Sequence, residues 1–291
     1  MSMLSKVWRA MLANPFRLLP VSFAVMIGLG TLLLLLPQAT VAGRKTTVLD
    51  ALFTATSAVC VTGLSVVDTA THWTGFGQGM ILLLIQIGGL GIVTVVSIGI
   101  VLLADRIGLS HTRILAADLR VDSYSDVPKL VRNIVLTTVA FEAVFALVLT
   151  ARFFFAHDYE LQTAAVHGVF HSISAWNNAG FALYTDNFLG FANDWFFSIA
   201  VCLAVILGGI GFPVLRTLAV HKFKWRMWPM HSKLMVSATA VLLVLGTVVF
   251  LAFEWSNPRT LGALPETARV HSAFFHSVQT RTAGFNSVDI T

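Results

Sequence analysis

Three stretches decide how this sequence is read: ALFTATSAVCVTGL (51–64), GVFHSISAWNNAGF (168–181) and AFFHSVQTRTAGF (273–285). Each opens on an apolar turn with Phe, passes through a turn rich in Ser or Thr, and closes on Gly followed by Leu or Phe. The third is one residue shorter than the others. The blocks downstream match as well, IGGLGI (87–92) answering LGGIGF (207–212). Two matched blocks in the same order mark an internal repeat.

The surroundings of these stretches are apolar. Of 291 residues 56% are hydrophobic and 11% charged, with a mean hydropathy of +0.81. A soluble domain carries about 25% charged residues, so this chain has too little polar surface for water, and the bilayer is its expected solvent. Five runs reach the ~20 residues that cross a hydrocarbon core, at about 17–36, 76–104, 129–155, 194–219 and 233–254. The quoted stretches lie between them and are too short and polar to span. Polar backbone at membrane depth persists only where protein buries it or where it lines a wet cavity. They are therefore expected to be re-entrant loops, at about 50–61, 163–176 and 267–280. The expected fold is an all-α polytopic membrane protein of repeated span, pore loop, span units with re-entrant pore helices. The first unit covers 1–128 with its N-terminal tail and loop, the second 129–231, and a partial third, one span and one loop, 232–291.

The net charge of +5 sits in short loops between apolar runs, which argues against a nucleic-acid partner and for topology signals. With the N-terminus in the cytoplasm, thirteen Lys and Arg face inward and six outward. That bias places the N-terminus inside and the re-entrant loops outside. The run 18–36 is too long for a signal-peptide core and is expected to be a retained first span.

The Gly that closes each stretch has a mechanical task. A ring of backbone carbonyls can replace the hydration shell of a potassium ion. Aiming successive carbonyls at one axis drives residues toward φ > 0, which Gly adopts cheaply. Val61-Thr62-Gly63-Leu64 is similar to a reduced T-V-G-Y-G filter of potassium channels. Asn178-Ala179-Gly180-Phe181 and Thr282-Ala283-Gly284-Phe285 are its counterparts. Thr62 offers a further hydroxyl oxygen; Ala179 and Ala283 do not. A loop helix pointing its C-terminus at the cavity favours a cation there. Asp50 and Thr163 are the expected N-caps of the first two loop helices, and Pro265 belongs to the first turn of the third.

Arg281 precedes the third Gly segment. Its charge costs about 2.5–3.5 kcal/mol in a dry core, so it is expected to support the filter from behind through a carboxylate or carbonyl partner, with Glu142 and Asp289 among the candidates. The Gly-rich blocks are expected to let helices pack closely, with a flex point as the alternative. His167, His171, His271 and His276 are expected to hydrogen-bond within the loop helices; the alternative is a metal-dependent intramembrane hydrolase. H-E-x-x-H zinc spacing is missing, since Gly168 follows His167. Cys60 and Cys202 are expected to be small buried side chains.

At these residues the sequence resembles the Ktr/Trk/HKT superfamily of potassium transporters, and within it the Ktr membrane, pore-forming subunit above all. The stretches that carry the likeness are 51–69, 84–94, 170–181, 208–215 and 277–290. The resemblance implies four such repeats around one pore and potassium uptake through the filter. K⁺ is then the transported ion, with no organic cofactor and no enzymatic activity. It also implies a homodimer in the plasma membrane, in contact with lipid. Cytosolic nucleotide-binding (RCK-type) regulatory subunits would face the basic loops near 105–128 and 221–233. Gly63 implies potassium preference, since Ser at the first of these positions goes with sodium permeation in plant relatives. Against the family pattern the sequence stops within the third repeat, before the gating segments. A fragment, or a non-conducting truncated product, is the expectation that follows.

Overall fold

The computed structural model describes residues 15–91 and 127–289. Readings that fall on 1–14, 92–126 and 290–291, including the far half of the second span and the basic loop near 105–128, lie outside the described residues. Every regular element among the described residues is a helix. The chain forms two compact units, one from Met1–Cys60 and Thr74–Thr137, the other from Val61–Trp73 and Thr138–Thr291.

The first unit packs α1 (Pro15–Leu34), α2 (Val48–Val59) and α4 (Gly75–Gly89) against one another. Small residues allow the approach: a Cβ on Gly30 would come within 2.7 Å of Leu84 and 3.3 Å of the Ala55 Cβ. Leu34, Ala55, Ile81 and Ile85 are fully buried there. The start of α2 differs from expectation. Its N-cap is Thr47, with Asp50 three residues inside the helix. Thr47 Oγ1 accepts from the Asp50 N–H (3.1 Å), and Asp50 Oδ2 accepts from the Thr47 N–H (3.0 Å). This reciprocal box satisfies two orphan donors where Asp50 as N-cap would satisfy one. α4 is capped by Thr74, which also donates to Gln38 O (2.6 Å) while its N–H donates to Ala39 O (2.9 Å).

The second unit holds the short α3 (Thr69–His72) and most of α5 (Val127–Ala156). It continues with α6 (Leu161–Trp176), α7 (Trp195–Gly209), α8 (Phe212–His221), α9 (Met230–Glu254) and α10 (Glu266–Arg281). Within it α6 and α10 both pack on α7, and α10 lies along α9. α6 follows Glu160, so Thr163 lies inside the helix rather than at its N-cap, and α10 follows Pro265, which is its N-cap residue rather than part of its first turn.

Val131–Ala156 and Met230–Glu254 are each long and apolar enough to cross a membrane. α9 turns little of its apolar surface inward, and Phe155 on α5 (79% exposed) and Phe253 on α9 (80%) project freely. Such surface has no place in water and suits lipid. The run 194–219 is not one tilted or protruding span. It breaks at Gly209–Gly211, where α7 and α8 meet at 98°. Gly211 has φ +85°, a conformation that costs Gly little and ends the helix.

Candidate functional site

α2, α6 and α10 are the three loop helices, and each ends nine residues into its quoted stretch. In each, the second residue beyond the helix is left-handed: Val61 (φ 55°), Asn178 (φ 58°) and Ala283 (φ 66°). In α6 this residue builds a Schellman cap, and in α10 a single 6→1 bond closes the helix end. Ala179 N–H donates to Ser174 O (2.7 Å) and Asn178 N–H to Ala175 O (3.1 Å); Gly284 N–H donates to Gln279 O (3.2 Å). The Gly then follows, again with positive φ: Gly63 at 76°, Gly180 at 74°, Gly284 at 81°.

The missing residue of the third stretch falls between helix and Gly. Cys60 and Asn177, the C-caps of α2 and α6, are αR-like (φ −84°, ψ −1°; φ −80°, ψ 0°). Thr282, which follows α10, is fully extended (φ −168°, ψ 172°). An extended residue covers more distance than a helical one, so the shorter connection still reaches its Gly.

The second unit brings all three Gly segments together. A Cβ on Gly63 would lie 2.5 Å from Ala179 O, 3.1 Å from Ala283 O and 3.2 Å from the Gly180 Cα; one on Gly180 would overlap Ala283 O. Carbonyls of two segments therefore face the bare Cα of a third, and a side chain at Gly63 or Gly180 would have to displace them. Val61, Thr62 and Leu64 flank the first Gly, and Thr62 and Leu64 are exposed. Asn178, Ala179 and Phe181 flank the second, and Thr282, Ala283 and Phe285 the third. Ala179, Phe181 and Phe285 are buried.

The support behind these segments is partly what the sequence predicts. Arg281 turns away from both expected partners. Its Nη1 donates to Thr239 Oγ1 on α9 (2.9 Å), and its Nε is buried without a hydrogen-bond partner. Its Nη2 lies at the C-terminal end of α7, 3.1 Å from where a Gly209 Cβ would sit. The negative end of that helix accommodates the guanidinium, which is why no carboxylate is needed. Glu142 instead accepts from Asn177 Nδ2 (3.0 Å).

Asn178 is a contact that sequence reasoning missed. With its amide oriented for hydrogen bonding, the nitrogen donates to Val205 O (2.9 Å) and the oxygen accepts from Gly209 N–H (3.3 Å). It thus brackets an i, i+4 pair in the last turn of α7, just before the 98° break; side chains inserted at such pairs bend helices. Gly208 permits the approach of α6, since a Cβ there would overlap Trp176 O. The Gly block therefore serves both close packing and the bend.

The histidines brace the loops. His171 Nδ1 donates to His167 O (2.8 Å) and its Nε2 accepts from Leu183 N–H (3.1 Å), so both ring nitrogens are engaged. His167 Nδ1 meets Tyr184 OH (2.9 Å), and Tyr184 stacks on His171 at 3°. His276, at the same place in the third stretch, meets Ser287 Oγ (3.1 Å). In both loops the histidine holds the third residue past the Gly. No cluster of three metal-ligating side chains occurs among the described residues. Cys202 is buried, but Cys60 is exposed, contrary to expectation.

Comparison with known proteins gives the chain a family and a fold. The chain is 39% identical over 282 residues to the Ktr system potassium uptake protein B of Vibrio alginolyticus, covering 94% of this chain and 60% of the relative. It is 37% identical over 276 residues to the protein of the same name from Bacillus subtilis (strain 168), covering 95% and 61%. It thus spans about three fifths of the length of these curated relatives. The crystal structure of the potassium transporter TrkH from Vibrio parahaemolyticus shares its fold, with a TM-score of 0.64 at 16% identity, over 91% of this chain and 50% of that one. Residues 6–291 match the TrkH family of cation transport proteins, and the chain belongs to that family.

Proposed function

We propose that this chain is the pore-forming part of a Ktr/Trk-type potassium-uptake system, passing K⁺ down its electrochemical gradient through a carbonyl-lined filter. One observation carries the reading: three Gly segments with positive φ converge so that the carbonyls of Ala179 and Ala283 face Gly63. Carbonyl oxygens so gathered supply the oxygen cage that a dehydrated K⁺ requires. In this reading the filter comprises 61–64, 178–181 and 282–285, with Arg281 as its support. The membrane potential drives uptake with about 2.3 kcal/mol per charge per 100 mV.

The same reading makes 1–128 and 129–231 two span, loop, span repeats and 232–291 part of a third. The N-terminus is cytoplasmic and the chain sits in the plasma membrane. The working assembly is a homodimer with cytosolic RCK-type nucleotide-binding subunits. Names of relatives that specify potassium uptake support the ion assignment.

The test is rubidium uptake by potassium-uptake-deficient cells that produce the protein from its complete gene. Uptake that external K⁺ competes away is the expected result, with Gly63→Ser weakening discrimination against Na⁺. Wild-type selectivity in Gly63→Ser would contradict the filter assignment.

A further inference from the structure

Past each Gly the chain continues along a short polar stretch, and in the second unit these stretches are fastened to one another. Asp68 caps α3 through the Ala70 N–H (2.8 Å) and also accepts from the Thr71 hydroxyl (2.8 Å). Its Oδ2 then reaches the Thr185 hydroxyl (2.7 Å), 117 residues away and past the second Gly. Two residues further, Asn187 takes φ 56°, and its Oδ1 accepts from the Asn286 N–H (3.3 Å). The next N–H, of Phe188, donates to Asn286 O (2.8 Å), and its ring stacks on Phe285 at 4.7 Å. The run 185–188 is thus tied to the first stretch at one end and to the third at the other.

Such ties answer a physical need. Carbonyl dipoles aimed at a common axis repel one another, and a bare Gly has no side chain with which to resist. Ala179 O and Ala283 O crowd the same Gly63 Cα. Something beyond the segments must hold their spacing, and spacing is part of what lets an oxygen cage distinguish cations.

We propose that Asp68, Thr185, Asn187 and Asn286 form a polar belt that sets the spacing of the three filter segments, and so act as positioning residues for cation selectivity. This rests on the filter reading given above. The experiment measures rubidium uptake against rising external Na⁺, with the protein produced from its complete gene. Thr185→Val removes one link. Asn187→Gly removes the side-chain part of the other, leaving the Phe188 N–H on Asn286 O, while keeping positive φ accessible. Each is expected to weaken the preference for Rb⁺ over Na⁺ about threefold, and the pair about tenfold, as single hydrogen bonds do; Thr185→Ser, which keeps the hydroxyl, retains it. Asp68→Asn weakens the first link from its other end, so whichever variant reaches the membrane decides. Lower uptake with unchanged preference would assign these residues to folding alone and overturn the belt. Unchanged preference in the double variant, while Gly63→Ser loses it, overturns the belt and leaves the filter standing. Unchanged preference in Gly63→Ser as well removes the filter reading itself.

Discussion

At the scale of single residues, the site combines left-handed positions that carry side chains with glycines whose Cα a neighbouring carbonyl crowds. Val61 is β-branched and left-handed (φ 55°), a conformation costing roughly 1–2 kcal/mol for an L-residue. Val61→Gly should relieve that strain and raise the melting temperature, while the freed backbone weakens ion discrimination; a thermal melt alongside uptake competition checks both. Gly180 lies at the opposite extreme. A methyl there meets the Ala283 carbonyl as well as an unfavourable φ. Gly180→Ala should therefore abolish uptake, read against membrane-localised protein. Arg281 depends on one hydroxyl. Thr239→Val strands the Nη1 donor, which should cost about 1–3 kcal/mol and appear as a lowered melting temperature.

At the scale of elements, each loop helix is fixed at one end by local chemistry. The Thr47–Asp50 box starts α2, and Thr47→Ala should cost about 1 kcal/mol, measured as a shift in the unfolding midpoint. The Schellman cap of α6 and the single Gly284 to Gln279 bond of α10 end those helices where the chain turns left-handed, which delivers it toward the Gly. The bend after α7 has two causes acting together. Gly211 makes the turn cheap, and Asn178 engages Val205 and Gly209 in the preceding turn. Asn178, in the second Gly segment, thereby touches the turn before the α7–α8 break.

At the scale of the whole molecule, the second unit is organised around a cluster of rings. Phe153, Phe188, Phe191, Phe197 and Phe285 are buried together, and Phe285 belongs to the third Gly segment itself. Packing of the unit and position of the third Gly segment are in this way coupled. One ion pair closes its edge. Asp194 caps α7 through the Phe197 N–H (3.0 Å) and accepts from Arg152 (2.8 and 3.0 Å) and His157 (2.8 Å). Burial pushes its carboxyl up, but these hydrogen bonds and the Arg152 charge outweigh burial and hold it below the ordinary 3.8. A depressed carboxyl stabilises the fold fully above its unfolded pKa, and the gain disappears as pH falls through the folded one. Stability should be flat with respect to this group above about pH 5 and decline below about pH 4. Asp194→Asn should remove that acid limb from a melting-temperature profile.

Much of this protein follows from its sequence alone. The apolar runs, the triple repeat and the Gly after each short helix depend on local composition and spacing, so the helical membrane class and the three loop helices are legible without coordinates. Positive φ at the Gly residues is legible for the same reason, because only the backbone decides it. Tertiary structure decided what depends on distant partners. Arg281 finds the end of α7 and Thr239 rather than a carboxylate, since a helix dipole leaves no mark in composition. The expected single span 194–219 breaks because Asn178 engages the last turn of α7 and Gly211 turns the chain just after it, though apolarity runs through the break. Extension at Thr282, which absorbs the one-residue deletion, and the ties from Asp68 to Thr185 and from Asn187 to Asn286 join residues up to 117 apart. No periodicity relates such pairs, and only the folded chain brings them within reach.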